Sequence, residues 1–220
     1  MGKLIVLEGT DGSGKATQTA ALLERLRREG VDCRKIEFPR YQEESSALIR
    51  EYLRGDFGEK PSDVNAFAAS TFYAVDRYAS YQQDWGGYYR QGGLVIADRY
   101  TTSNAVHQGS KLQGKERTDF FEWLFDYEYR LLELPKPDLV IYLDVPVDQT
   151  EQNMHRREIQ TGASADIHER DDGYLRACRV AAGEAAERFG WTKIACTKNG
   201  VMRSIDEIHE DVYRAVKEVL

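Results

Sequence analysis

The sequence is poor in the features that build extracellular or membrane scaffolds. Cys33, Cys178 and Cys196 are its three cysteines, far apart and in no CxxC arrangement. That excludes a disulfide framework or zinc site and points to reduced thiols. No apolar run approaches the ~18–20 residues needed to span a bilayer. No basic segment followed by an apolar core and a cleavage site opens the chain, because residues 4–7 pass straight into a glycine-rich turn. The expected location is cytoplasmic, with no membrane partner. Excess positive charge is missing too: 30 Lys and Arg stand against 37 Asp and Glu, a net charge of -7. This argues against a nucleic-acid partner, whose affinity would rest on a basic surface, but not against a small phosphorylated ligand. His107, His155, His168 and His209 have no metal-ligand spacing and no partnered nucleophile, so a structural or surface role is expected for each. No NKxD-type guanine-reading motif is visible, which counts against a GTPase switch.

What the sequence does contain is organised around one stretch. Leu4-Ile5-Val6-Leu7-Glu8, short enough for a buried strand, leads into Gly9-Thr10-Asp11-Gly12-Ser13-Gly14-Lys15-Ala16-Thr17. From Gln18 to Gly30 a helical pattern takes over, with Ala20, Leu22, Leu23 and Leu26 as its apolar face. The turn aims backbone N–H groups and a helix N-terminus into one concave space, and Lys15 adds a cation able to reach a terminal phosphate. This is the P-loop pattern with one departure. Ala16 stands where the pattern has a Ser or Thr whose hydroxyl ligates magnesium. Thr17 lies one step on, about 100° around the helix, and does not simply substitute.

At 220 residues, 41% hydrophobic and 30% charged, the chain falls in the ordinary globular class. No repeat, low-complexity tract or linker divides it, so residues 1–220 are expected to form one domain. Further strands are expected at 31–38, 94–97, 139–144 and 191–195, and helices at 45–54, 66–83, 119–134, 147–160, 171–189 and 204–220. The last helix is expected to be capped by Ser204. Trp85-Gly86-Gly87 is expected to break or bend the third helix. Alternating strands and helices imply a parallel sheet covered on both faces, with ligands at the carboxyl ends of the strands. Glu8, Phe38, Asp98 and Asp144 are expected there.

Three constellations carry chemistry. Asp98-Arg99-Tyr100 ends an apolar strand. Asp98 could orient a metal-bound water or hold an arginine, and Arg99 can bind phosphate through two parallel hydrogen bonds. Tyr73 and Arg77, four apart, share a helix face that could stack a base and hydrogen-bond its edge, although taken alone the pair favours ordinary helix packing. Arg156, Arg157 and Arg170 flank the small polar segment 161–167. They read equally as cations on a loop that closes over phosphates and as a solvated helix end.

In this order and spacing the chain resembles the thymidylate kinase (dTMP kinase) family over nearly its whole length. The resemblance rests on residues 7–15, Phe38-Pro39-Arg40, Tyr73-Ala74-Val75-Asp76-Arg77, Asp98-Arg99-Tyr100 with Ser103-Asn104, Leu134-Pro135-Lys136-Pro137-Asp138, and Glu169-Arg170. It implies an α/β, three-layer P-loop kinase fold: a five-stranded parallel sheet with helices on both faces and a small lid at about 156–173. It also implies transfer of the ATP γ-phosphoryl group to dTMP, giving dTDP and ADP in nucleotide biosynthesis, with Mg2+ and as a homodimer.

By position, Gly9, Thr10, Asp11, Gly12, Ser13, Gly14, Lys15, Ala16 and Thr17 would hold ATP phosphates. Asp11 would sit between donor and acceptor phosphates, sharing the metal with Asp98 and Glu169. Phe38, Arg40, Tyr41, Tyr73, Arg77, Arg99, Asn104, His107 and Glu169 would border dTMP. Within that set Tyr73 stacks on thymine, Arg77 and Asn104 meet the base, and Arg99 meets the phosphate. The P-loop has no arginine of its own, so the resemblance requires a lid arginine from Arg156, Arg157 or Arg170. His107 stands where an aromatic residue near the sugar is expected.

Two other readings remain open at this point. The acceptor could be dUMP, UMP or a deoxynucleoside, since Asp98-Arg99-Tyr100 also occurs in deoxynucleoside kinases; Arg40 favours a monophosphate. Alternatively, the chain could bind nucleotide for regulation without phosphotransfer, a reading that only Ala16 supports.

Overall fold

The computed structural model describes residues 1–150, 152–154, 168 and 172–220, with the backbone alone at residue 172. β1 (Lys3–Glu8) lies at the centre of a parallel sheet with β2 (Cys33–Glu37), β3 (Leu94–Asp98), β4 (Leu139–Asp144) and β5 (Thr192–Ala195). The order is β2–β3–β1–β4–β5. In register, Leu7 lies beside Asp98 on one neighbour and Ile141 on the other. The P-loop and the Asp98-Arg99 corner therefore leave the sheet side by side.

Alternation along β1 divides its side chains between two cores. Ile5 and Leu7 pack with Leu22 and Leu26 of α1 (Lys15–Arg28) and with Val212 and Val216 of the closing helix Ile205–Lys217. Leu4 and Val6 pack on the opposite face with Tyr81, Trp85 and Tyr100. Burying one such Leu or Ile side chain stabilises the fold by roughly 1.5–3 kcal/mol. No helix among the described residues is long and apolar enough to cross a membrane.

Several elements follow expectation closely. β4 has the expected bounds, and α2 (Ala47–Arg54) ends at Gly55 in a left-handed conformation. Ser204 caps the closing helix: its hydroxyl accepts from the Glu207 N–H, while the Glu207 carboxylate accepts from the Ser204 N–H.

Others differ for identifiable reasons. α3 (Ala66–Ser80) is not broken at Trp85 but runs through a π turn, Tyr81–Trp85, into α4 (Gly86–Arg90). Trp85 is fully buried against the rings of Tyr81, Tyr89 and Tyr100. Gly86 permits that packing, since a Cβ there would lie 2.3 Å from the Tyr81 carbonyl oxygen. A second π turn, Asp126–Leu131, follows α6 (Gly114–Phe125), which begins five residues before its expected start at 119.

Among the unexpected elements are α5 (Thr101–His107) and the hairpin of Thr197–Lys198 with Val201–Met202. The helical residues 147–150 and 152–154 begin the expected 147–160 helix, and α7 (Asp172–Phe189) covers the next one. The closing helix is α8.

Candidate active site

The chain turns from β1 into α1 through Gly9–Gly14, and Gly14 caps the helix at φ 88° without a side-chain hydrogen bond. The first-turn N–H groups of α1 therefore have no acceptor in the helix or its cap, the condition under which a helix start receives an anion. The loop packs closely at Gly9, where a Cβ would lie 2.4 Å from Ser13 Oγ and 3.2 Å from the Leu143 carbonyl oxygen. The Ser13 hydroxyl is buried and has no hydrogen-bond partner among the described residues. Lys15 curls back over the loop, its Nζ donating to the Gly9 carbonyl at 2.8 Å and the Thr10 carbonyl at 2.9 Å. Burial and then Arg99 push its pKa down to about 8, against the raising pull of Asp11. Asp11 to Gln18 line a cavity of about 850 Å³ that also reaches Asp98 and Arg99. Ala16 and Thr17 both face this cavity.

Arg99 occupies a left-handed backbone position, φ 67°, just beyond β3. Its N–H donates to the Leu7 carbonyl at 3.2 Å, tying the corner to β1. Its guanidinium donates to Asp11 through Nη2 and to His107 Nε2 through Nη1, the latter at 3.1 Å. Burial would raise the Asp11 carboxyl, but Arg99 and then Lys15 outweigh it and hold the pKa far below the usual carboxylate range. His107 is pushed down to about 3 by burial and by Arg99, so its ring is neutral. With Nε2 accepting from Arg99, the ring proton lies on Nδ1, 3.7 Å from Cys178 Sγ. His168 stacks on His107 with ring centres 5.7 Å apart and contacts the Tyr52 hydroxyl at 2.8 Å.

The remaining expected acceptor residues form separate clusters. Arg40 is anchored to Asp76 by its backbone N–H at 2.9 Å and its Nε at 3.1 Å, while its Nη2 donates to Ser45 Oγ. Phe38 is buried and packs against Tyr100 with ring centres 6.0 Å apart. Tyr41 is exposed, and Tyr73 is half-buried beside Tyr52 and Ala69. Arg77 is 1% exposed, with Nε and Nη2 both on Glu128; Asn104 is 2% exposed and donates to the Ser70 carbonyl at 3.2 Å. Arg156, Arg157, Glu169 and Arg170 lie outside the described residues, as does His155.

Other residues at the site had no partners or role assigned from the sequence, although Glu8 was expected at the ligand end of β1. Glu8, fully buried, accepts from the Gly9 N–H and from the hydroxyls of Thr102 and Ser103, which fastens the P-loop to the start of α5. Gly200, Val201, Met202 and Arg203 form the far wall of the large cavity with Ile205 and Ile208. Asn199-Gly200 was a readable turn signal for this hairpin, and both residues have positive φ. Gln108 is fully buried with neither side-chain polar atom paired among the described residues, and nothing in the sequence marked it.

The family described as thymidylate kinase matches residues 7–212. A thymidylate kinase of Mycobacterium tuberculosis (strain H37Rv) is 32% identical over 190 residues, covering 86% of this chain and 87% of its own. A probable thymidylate kinase of Pyrococcus abyssi is 30% identical across 100% of this chain and 98% of its own. A solved thymidylate kinase structure from Candida albicans shares the fold with a TM-score of 0.71 at 20% identity, covering 99% of this chain and 92% of its own. The phosphate cradle, the Asp98-Arg99 corner beside it and this match along nearly the whole sequence place the chain in the thymidylate kinase family.

Proposed function

We propose that this chain transfers the γ-phosphoryl group of ATP to dTMP, giving dTDP and ADP. The observation that carries the reading is that one cavity joins the cradle and Lys15 to Asp98 and Arg99 on the neighbouring strand. Donor and acceptor phosphates can meet there between opposed cations. The acceptor phosphate oxygen is already anionic near neutral pH, so the reaction needs alignment and charge neutralisation more than proton transfer.

Lys15 leaves the Gly9 and Thr10 carbonyls for the donor phosphates. Arg99, held ready by Asp11 and His107, takes the acceptor phosphate. Tyr73, Arg77 and Asn104 form the base end, with Phe38, Arg40 and Tyr41 at its border. The cation that the P-loop lacks is assigned to Arg156, Arg157 or Arg170 in the segment 156–173, which would act as a lid on a single catalytic domain; Glu169 is assigned beside the metal or sugar. Gly200–Arg203 line the same cavity as the cradle and are assigned to the donor's adenosine end.

Mg2+ fits the donor set. It needs hard oxygen ligands and commonly takes one or two carboxylates with substrate phosphates and water, and Asp11 and Asp98 offer such oxygens on the cavity that holds the cradle. When bound, Mg2+ would neutralise charge on the phosphoryl oxygens. Exposed Phe67, Val75, Tyr78 and Leu131, on α3 and beside α6, support the homodimer reading. Buried free Cys33, Cys178 and Cys196 suit a reducing cytoplasm.

Lys15→Ala tests the chemistry. It should lower kcat about 10²–10³-fold with the thermal midpoint little changed, measured by coupled ADP release beside thermal unfolding. An unchanged kcat would remove the cradle from the mechanism.

A further inference from the structure

Glu128 had no part in the sequence argument, yet it is the most heavily bonded buried carboxylate near the proposed acceptor site. It lies on the π turn after α6 and is 0% exposed. Its Oε2 accepts from Arg77 Nε at 2.6 Å and from Thr101 Oγ1 at 2.7 Å. Its Oε1 accepts from Arg77 Nη2 at 2.5 Å and from Asn104 Nδ2 at 3.4 Å. Two of the donors belong to Arg77 and Asn104, the side chains assigned to the edge of the acceptor base, and they reach Glu128 from different helices.

We propose that Glu128 is the positioning residue that sets the donor and acceptor polarity of the base site, and so decides for a 4-keto pyrimidine against a 4-amino one. The inference rests on the dTMP reading and adds a specificity device to it. An ionised carboxylate only accepts hydrogen bonds, so it fixes which way an amide turns. Asn104 must give Glu128 its Nδ2, and no hydrogen bond among the described residues occupies its Oδ1. The same carboxylate holds the Nε–Nη2 edge of Arg77, leaving Nη1, whose one contact is 3.4 Å from the Tyr100 carbonyl.

The pair thus offers a donor from Arg77 and an acceptor from Asn104. Thymine presents the complement, an O4 acceptor next to an N3–H donor. Cytosine presents the reverse, an amino donor next to a bare N3, and would leave both protein groups mismatched. A Gln at position 128 could donate as well as accept, which frees the Asn104 amide to turn over.

The test compares kcat/KM for dTMP and dCMP, and KM for ATP, in the full chain and in Glu128→Gln, Glu128→Asp and Thr101→Val. Glu128→Gln should raise KM for dTMP and lower the dTMP/dCMP preference at least about tenfold, with KM for ATP within about twofold of wild type. Glu128→Asp keeps the charge that Arg77 needs but withdraws the carboxylate, so it should fold and shift dTMP KM in the same direction. Thr101→Val removes a donor from the same carboxylate without touching the base-facing pair and should leave the preference unchanged. If folded Glu128→Gln and Glu128→Asp keep wild-type preference and dTMP KM, or Thr101→Val loses as much, the proposal is overturned and Glu128 only ties helices together. A wild-type chain that does not phosphorylate dTMP fails the underlying reading instead, and the first arm shows this before any variant is made.

Discussion

Lys111 shows how far burial alone can shift a side chain. Its Nζ donates to the Val64 carbonyl at 2.8 Å and the Tyr52 hydroxyl at 3.0 Å, and burial pushes its pKa from 10.5 down to about 7. Between those values the unfolded chain binds the proton and the folded chain does not, so this group makes stability rise with pH across that window. Lys111→Met removes the titration, and the increase in thermal midpoint from pH 7 to pH 9 should be smaller than in wild type. An equal increase in both would show that Lys111 keeps its ordinary pKa in the fold. The residue scale is also where the sequence was hardest to read. Lys15, Asp11 and Arg99 could be named from a strand–loop–helix pattern and a charged strand end. Gln108 and Glu128 could not, and Glu8 could be placed at a strand end but not given its partners, because burial of a polar side chain depends on partners distant along the chain.

Among the elements, those with strong periodicity or punctuation were legible. β4 is an uninterrupted apolar run, α2 stops at a glycine, and α8 starts at a capping Ser204 with Glu207 three residues on. That cap makes a direct prediction: Ser204→Ala should destabilise the fold by about 1 kcal/mol. Urea unfolding would detect this as a lower midpoint at constant slope, and an unchanged midpoint would mean that the α8 start is held by other contacts. α5 was not legible, because Thr-Thr-Ser-Asn-Ala-Val-His has neither strong helix propensity nor an apolar stripe. It forms where Glu8 takes the hydroxyls of Thr102 and Ser103. The π turns were equally hidden. Trp85-Gly86-Gly87 reads locally as a break or bend, and tertiary packing of Trp85 against three tyrosines carries the helix through it as a π turn.

For the whole molecule, strand–helix alternation gave the parallel sheet, and the order of the motifs gave the family. The strand order β2–β3–β1–β4–β5 brings the P-loop of β1 beside the Asp98-Arg99 corner of β3, although some ninety residues separate them. The homodimer proposal assigns its contact surface to Val75, 53% exposed, and Tyr78, 42% exposed, one helical turn apart on α3. Val75→Lys should shift the mass in sedimentation velocity from dimer to monomer; a wild-type chain already monomeric at micromolar concentration would contradict the homodimer reading while leaving the chemistry intact.

The most direct test of the central claim is coupled ADP release with ATP and Mg2+ across dTMP, dUMP, UMP, dCMP, CMP, AMP, GMP and thymidine. A strong preference for dTMP is the predicted result. Binding of ATP without turnover of any acceptor would contradict it, and would turn attention to Ala16 in a chain that holds nucleotide without transferring phosphate.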